Sequence, residues 1–138
     1  MPALRRYRVF ISHAWEYNAD YYRVVELLDS VPNFDWENLS VPEHDPVDVA
    51  DADFLMYELR NQMRPADVFL IICGMYVAYS DWIDFELRFA RRIGRPVVGI
   101  LPWASERVPR AVHDAAVELV GWNANSIVSA IRQHALSQ

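Results

Sequence analysis

The sequence contains no lysine, since all 13 of its basic residues are arginine. This excludes the chemistries that need a lysine amine, namely a P-loop nucleotide site, a Schiff-base enzyme and a Ser–Lys catalytic dyad. Glycine is also scarce, and the four present are Gly74, Gly94, Gly99 and Gly121. That spacing cannot form a glycine-rich phosphate loop, so a dinucleotide-binding fingerprint is absent as well.

Cysteine is scarce, and the chain has neither an excess of positive charge nor a long apolar run. The one cysteine, Cys73, excludes an internal disulfide and any cysteine-based zinc site. No apolar run is long enough to span a membrane and no signal-peptide pattern opens the chain, so we expect a cytoplasmic protein with no membrane partner. The net charge of −6 argues against a general nucleic-acid binder.

Strand and helix patterns alternate five times, which predicts one α/β domain over residues 1–138. The third and fourth strands are continuous apolar runs, typical of strands buried on both faces. We expect an open parallel sheet of the flavodoxin-like type, with strand order 2-1-3-4-5 and helices on both faces. The five predicted strands are residues 7–12, 34–39, 67–73, 97–101 and 117–120. The first predicted helix is capped by Asn18 or Asp20 and runs to about Asp29. The other predicted helices are residues 53–63, 80–93 and 124–135, with a short one after Pro109.

One carboxylate breaks the pattern of the third helix, residues 80–93 (SDWIDFELRFARRI). We expect Ser80 or Asp81 to be its N-cap. At ~100° per residue, Glu86 falls ~40° from Trp82, in the middle of the apolar arc. A buried carboxylate is costly unless something satisfies it. Two interpretations stay open: a structural residue that meets backbone N–H groups or an arginine, aided by the helix N-terminus, or a residue that faces a ligand.

The expected ligand crevice lies where strands 1 and 3 diverge, at their carboxyl ends. The helix that carries Glu86 follows strand 3, so the unusual carboxylate and the crevice converge. A phospho-receiver domain would need acidic residues after strand 1 and a lysine after strand 5, and a flavodoxin would need a Ser/Thr/Gly-rich loop. Neither pattern is present. The crevice residues would be Ser12, His13 and Ala14 on one side and Cys73, Gly74 and Met75 on the other.

Four segments resemble TIR domains. Residues 8–15 (RVFISHAW) are similar to the opening TIR strand and loop, and residues 80–86 to the Ser-x-Trp-x-x-x-Glu signature. Residues 38–46 (NLSVPEHDP) and 121–123 (GWN) resemble more narrowly the TIR-like branch of Thoeris antiphage defence proteins. The resemblance covers essentially the whole chain. The loop over residues 40–53 lacks the Arg-Asp…Pro-Gly pattern of receptor TIR domains, so assembly through that loop is not implied.

The resemblance implies an enzyme that cleaves NAD between nicotinamide and ribose, with Glu86 as its catalytic residue. The product would be a cyclic ADP-ribose-type signal for a separate effector protein in antiphage defence. NAD is then the substrate, and no cofactor or metal is expected. Bond breaking builds positive charge on the ribose C1′, which an ionised carboxylate stabilises. Whether the product is linear or cyclic, and what triggers its formation, stays open.

Eight further residues are candidates for substrate binding, several with a structural alternative. Trp15 would stack on a substrate ring or form a hydrophobic lid. Ser12 and Ser80 would contact substrate or cap local structure, and Trp82 would be a core anchor, a substrate contact or both. The eight candidates are Ser12, His13, Trp15, Asp45, Gly74, Tyr79, Ser80 and Trp82.

Two other functions remain alternatives. One is a non-catalytic TIR module that self-associates, in which Glu86 is bonded internally. The other is an enzyme resembling nucleoside deoxyribosyltransferases, which share a similar sheet and a catalytic Glu and would act on nucleosides and ignore NAD.

Overall fold

The fold is described from a computed structural model. It describes residues 5–12, 18–40, 57, 60–73, 76–101 and 108–136, without the side chains of Asn18 and of residues 76–82. The predicted loop over residues 40–53 lies outside these ranges apart from its first residue.

Five strands and four helices have defined bounds in the described chain. The strands are all parallel and form one sheet in the order β2-β1-β3-β4-β5, which confirms the predicted fold class. Residues 60–63 are also helical, within the helix predicted before the third strand. The elements are β1 (Arg6–Ile11), α1 (Asn18–Asp29), β2 (Asp35–Asn38), β3 (Val68–Ile72), α2 (Tyr76–Arg92), β4 (Val97–Ile100), α3 (Arg110–Ala115), β5 (Glu118–Val120) and α4 (Ala124–His134).

The core lies on both faces of the sheet, around β3. All five β3 residues are buried, because a central parallel strand has helices above and below it. From β1 the chain passes through α1 to β2, at one edge of the sheet. From β3 it passes through α2 to β4, towards the other edge. Since such crossovers are right-handed, α1 and α2 lie on opposite faces. Accordingly, α1 packs with α4 and α2 packs with α3.

The start of α2 differs from the prediction. The helix begins at Tyr76, so Ser80 and Asp81 lie inside it and neither is its N-cap. The prediction was wrong because serine and aspartate favour helix starts only as a local preference, and residues 76–79 contain no glycine or proline to stop the helix. Glu86 therefore lies about three turns into α2, beyond the first turn over which the helix dipole acts.

Two features are absent from the part of the chain that the structure describes. None of its helices is long and apolar enough to cross a bilayer. Within the same ranges, no three histidine, cysteine, aspartate or glutamate side chains are grouped closely enough to hold a metal ion.

Asp67 joins β1, β3 and the chain after α4 at the amino-terminal side of the sheet. Its carboxylate accepts the Arg8 backbone N–H at 3.0 Å and lies 3.4 Å and 3.6 Å from guanidinium nitrogens of Arg8 and Arg5. Its backbone N–H donates to the Arg8 carbonyl at 2.8 Å, and its carbonyl accepts the Leu136 N–H at 3.1 Å. Because Asp67 is only 4% exposed, these bonds replace the water that its carboxylate would otherwise hold.

We predict that Asp67→Ala lowers the free energy of unfolding by about 2–3 kcal/mol, since it leaves the Arg8 N–H without its acceptor and two guanidinium groups without their counter-charge. Asp35→Ala is the matched control, because Asp35 also pairs with a β1 arginine, Arg6, but both side chains are more than half exposed. That change should cost below about 1 kcal/mol. Urea denaturation measures the free energy of unfolding of both variants. Equal decreases in the two would contradict the prediction.

Candidate active site

Glu86 is buried on the face of α2 that packs against the sheet. Its neighbours on that face, Ile83, Leu87 and Ala90, are at most 6% exposed, and Glu86 itself is 1% exposed. Arg88, on the opposite face, is exposed. The structure thus gives Glu86 the burial that the helical pattern predicts. A carboxylate at such a position is costly, which is why strongly buried acids are enriched at functional sites.

Ser12 lies at the carboxyl end of β1 and is fully buried. Its backbone N–H donates to the Leu70 carbonyl at 2.9 Å, so the pairing of β1 with β3 continues through it. Within the described ranges its Oγ has no hydrogen-bond partner. A buried hydroxyl in this state costs about 1–3 kcal/mol, so Ser12 offers a donor and an acceptor to a group that enters the crevice.

Cys73 lies at the carboxyl end of β3, on the other side of the crevice. Its side chain is 2% exposed, and burial raises the pKa of the thiol to about 11. The thiol is therefore protonated at neutral pH, when nucleophilic attack would require the thiolate. Cys73 is therefore a packing residue at the carboxyl end of β3.

The structure describes the side chains of two of the nine candidate residues, Ser12 and Glu86. Ser12 directly follows β1, and Glu86 lies in the helix that follows β3. For three candidates within α2 only the backbone is described, namely Tyr79, Ser80 and Trp82. The remaining four lie outside the described residues, namely His13, Trp15, Asp45 and Gly74.

Ser40 is a residue of this region that the sequence analysis did not single out. Its Oγ accepts the Ile11 backbone N–H at 2.9 Å, next to Ser12. The available signal was its position in the Ser-Val-Pro segment, where the second predicted strand gives way to the long loop.

A cleft of about 970 Å³ lies between α2 and α3, away from this region. It includes Val97, the first residue of β4, so it is nearer the amino-terminal side of the sheet, whereas the crevice lies at the carboxyl ends. One of its arginines, Arg95, donates to the carbonyls of Ala66, Ile93 and Arg64. Neither Ser12 nor Glu86 lines the cleft, although Asp84 and Leu87, which do, lie on either side of Glu86 in α2.

The family profile described as "Thoeris protein ThsB, TIR-like domain" matches residues 10–107. The chain belongs to this family. The match begins in β1, spans the candidate crevice and includes Glu86. Membership in this TIR-like family of the Thoeris antiphage system confirms the family suggested by the sequence motifs. No curated protein sequence matches this chain at a significant level.

Solved structures similar to this ThsB-family domain support the fold. A conserved protein from Enterococcus faecalis V583 has a TM-score of 0.65 at 11% identity, over 94% of this chain and 99% of that one. A 2-deoxyribosyltransferase from Bacillus psychrosaccharolyticus gives 0.61 at 14% identity, over 88% and 90%. The CMP N-glycosidase BcmB from Clostridium botulinum gives 0.54 at 16% identity, over 92% and 99%. Identities this low show the shared fold alone.

We predict that Ser12→Ala leaves the free energy of unfolding unchanged or raises it by up to about 1 kcal/mol, because it removes a buried hydroxyl with no partner in the described chain. Ser40→Ala is the matched comparison and should lower it by about 1 kcal/mol, since it removes the acceptor of the Ile11 N–H. Thermal and urea denaturation measure both. A large decrease in the free energy of unfolding of Ser12→Ala would contradict the prediction, because it would show that the hydroxyl stabilises the folded chain.

Proposed function

We propose that this TIR-like domain is an enzyme that cleaves NAD between nicotinamide and ribose, with Glu86 as its catalytic carboxylate. The observation that carries the proposal is the burial of Glu86 in the helix that follows β3. In folds of this type ligands bind at the carboxyl ends of the strands, where that helix begins. Membership in the Thoeris family supports a role in antiphage defence.

The chemistry suits a single carboxylate. The bond between C1′ and the nicotinamide nitrogen breaks with its electron pair moving to nicotinamide, which leaves as a neutral molecule and needs no proton. Positive charge develops on the ribose, and ionised Glu86 stabilises it where water is largely excluded. Attack on C1′ by a group of the same ADP-ribose gives a cyclic product, whereas attack by water gives ADP-ribose. Exclusion of water favours the cyclic product.

The remaining candidates complete the proposed substrate site. The buried Ser12 hydroxyl would hydrogen-bond the ribose or phosphate groups of NAD, and no cofactor is required. The cyclic product would act on a separate effector protein in the cytoplasm. The other proposed substrate contacts are His13, Trp15, Asp45, Gly74, Tyr79, Ser80 and Trp82.

A second candidate is an enzyme that acts on nucleosides or nucleotides other than NAD. It is favoured by two structural neighbours whose names describe a 2-deoxyribosyltransferase and a CMP N-glycosidase. Incubation of the protein with NAD, CMP and deoxynucleosides in parallel, followed by separation of the released bases by mass, distinguishes the two candidates.

We predict that Glu86→Gln lowers the rate of nicotinamide release from NAD by roughly 100-fold or more, because the amide keeps the side-chain shape but not the charge that stabilises the ribose cation. Asp84→Asn is the matched control, since it makes the same change of charge two residues away, at a half-buried position. Its rate should stay within about twofold of wild type. Mass spectrometry of nicotinamide and of the ADP-ribose product gives both results.

Wild-type protein that releases no nicotinamide, at high concentration and in lysate of phage-infected cells, would contradict the proposal. The non-catalytic module would then be the better account, with Glu86 as a structural carboxylate. Equal rates in wild type and Glu86→Gln would instead remove Glu86 from the chemistry while keeping the activity.

A further inference from the structure

On the edge that faces β2, the carboxyl end of β1 is held by a side chain instead of by a strand. The pairing of β1 with β2 ends at Val9 and Asn38, after which the Leu39 N–H donates to the Val9 carbonyl at 2.9 Å. The next donor on this edge of β1 is the Ile11 N–H. In a continued parallel ladder a main-chain carbonyl would accept it. Here the acceptor is the Ser40 hydroxyl, at 2.9 Å.

Ser40 is fixed in turn by two further hydrogen bonds. Its backbone N–H donates to Asn38 Oδ1 at 2.9 Å, and Asn38 Nδ2 donates to the Tyr21 hydroxyl at 2.7 Å. Both ends of the Asn38 amide are therefore used. Together with the bond to Ile11, they form a series that runs from α1 through the end of β2 to the last residue of β1. We call Tyr21, Asn38 and Ser40 the β1 latch.

The latch acts on the residue before Ser12. Ile11 and Ser12 are both fully buried, and the Ser12 N–H is held on the other side by the Leu70 carbonyl. The backbone that carries Ser12 is thus tied towards β2 by Ser40 and towards β3 by Leu70. Since Ser40 supplies the acceptor at the strand end, the Ser12 hydroxyl is not needed to cap it and has no partner within the described ranges.

We propose that Ser40 is a positioning residue of the active site, whose hydroxyl fixes the end of β1 so that Ser12 Oγ stays in place for the substrate. The kinetic part of this inference rests on the proposed function, because it assumes that NAD contacts Ser12. The structural part concerns the backbone at Ile11 and Ser12 and can be measured without any substrate.

The test compares Ser40→Ala, which removes the acceptor, with Ser40→Thr, which keeps an oxygen there. Ser30→Ala is the control. Ser30 directly follows α1, and its hydroxyl donates an exposed hydrogen bond to the Leu27 carbonyl. Amide hydrogen exchange measured by NMR should be roughly tenfold or more faster at Ile11 in Ser40→Ala, and also faster at Ser12. Exchange at Val98 in β4 should rise by no more than about fivefold, the change that the predicted loss of global stability produces. Ser40→Thr and Ser30→Ala should both retain wild-type exchange.

The kinetic measurement separates positioning from general stability. In Ser40→Ala the KM for NAD should rise roughly tenfold with kcat within about twofold, because a misplaced Ser12 weakens binding of substrate and transition state alike. Ser40→Thr should restore the KM. If Ser40→Ala does not fold, Asn38→Ala, which removes the acceptor of the Ser40 N–H, should change exchange and KM in the same direction to a smaller extent.

Unchanged exchange at Ile11 in Ser40→Ala would overturn the inference. Faster exchange with an unchanged KM would also overturn it, since Ser40 would then hold β1 without positioning a substrate contact. If wild-type protein releases no nicotinamide, the proposed function fails. Exchange at Ile11 and Ser12 then decides alone whether Ser40 fixes the end of β1.

Discussion

The site depends on how the fold buries a few polar groups within an apolar sheet. In the described chain the buried polar or charged residues are Ser12, Asp67 and Glu86. Asp67 lies at the start of β3 and is compensated by two arginines and a backbone N–H, as a structural carboxylate should be. Ser12 and Glu86 follow the carboxyl ends of β1 and β3. Every β3 residue is apolar and buried, so the polar network around Asp67 is confined to the amino-terminal side of that strand.

The sequence predicts best those residues whose burial follows from a local pattern of apolar positions. The continuous apolar runs give β3 and β4 to within one or two residues, since a strand covered on both faces needs no alternation. Glu86 stands out because it violates the helical period of its own neighbours. The start of α2 was missed because the capping preference of Ser80 is only a local one, and residues 76–79 contain no glycine or proline to stop the helix. The Ser-Val-Pro segment marked the position of Ser40 but not its role, which depends on contact with Ile11, 29 residues earlier.

The absence of lysine has a structural consequence as well as a chemical one. Among the described residues, four arginine guanidinium groups lie over aromatic rings, where a flat delocalised cation stacks better than an ammonium group. Arg95 reaches three backbone carbonyls at once and so ties the end of α2 to the chain before β3. The four stacked pairs are Arg5 on Tyr7, Arg60 on Phe85, Arg64 on Phe89 and Arg132 on Phe34.

The number of carboxylates at the crevice bears on which bond the enzyme would break. Enzymes that cleave ordinary glycosides use two carboxyl groups, because the leaving oxygen must be protonated as the sugar cation forms. A neutral nucleobase makes a similar demand on a nitrogen. The nicotinamide of NAD carries a positive charge before the bond breaks and makes no such demand. In the part of the chain that the structure describes, the two buried carboxylates are Asp67, which precedes β3 and is paired with arginines, and Glu86 in α2. Under the proposed function, Glu86 alone would therefore suffice for NAD, whereas a nucleoside would need a proton donor besides it.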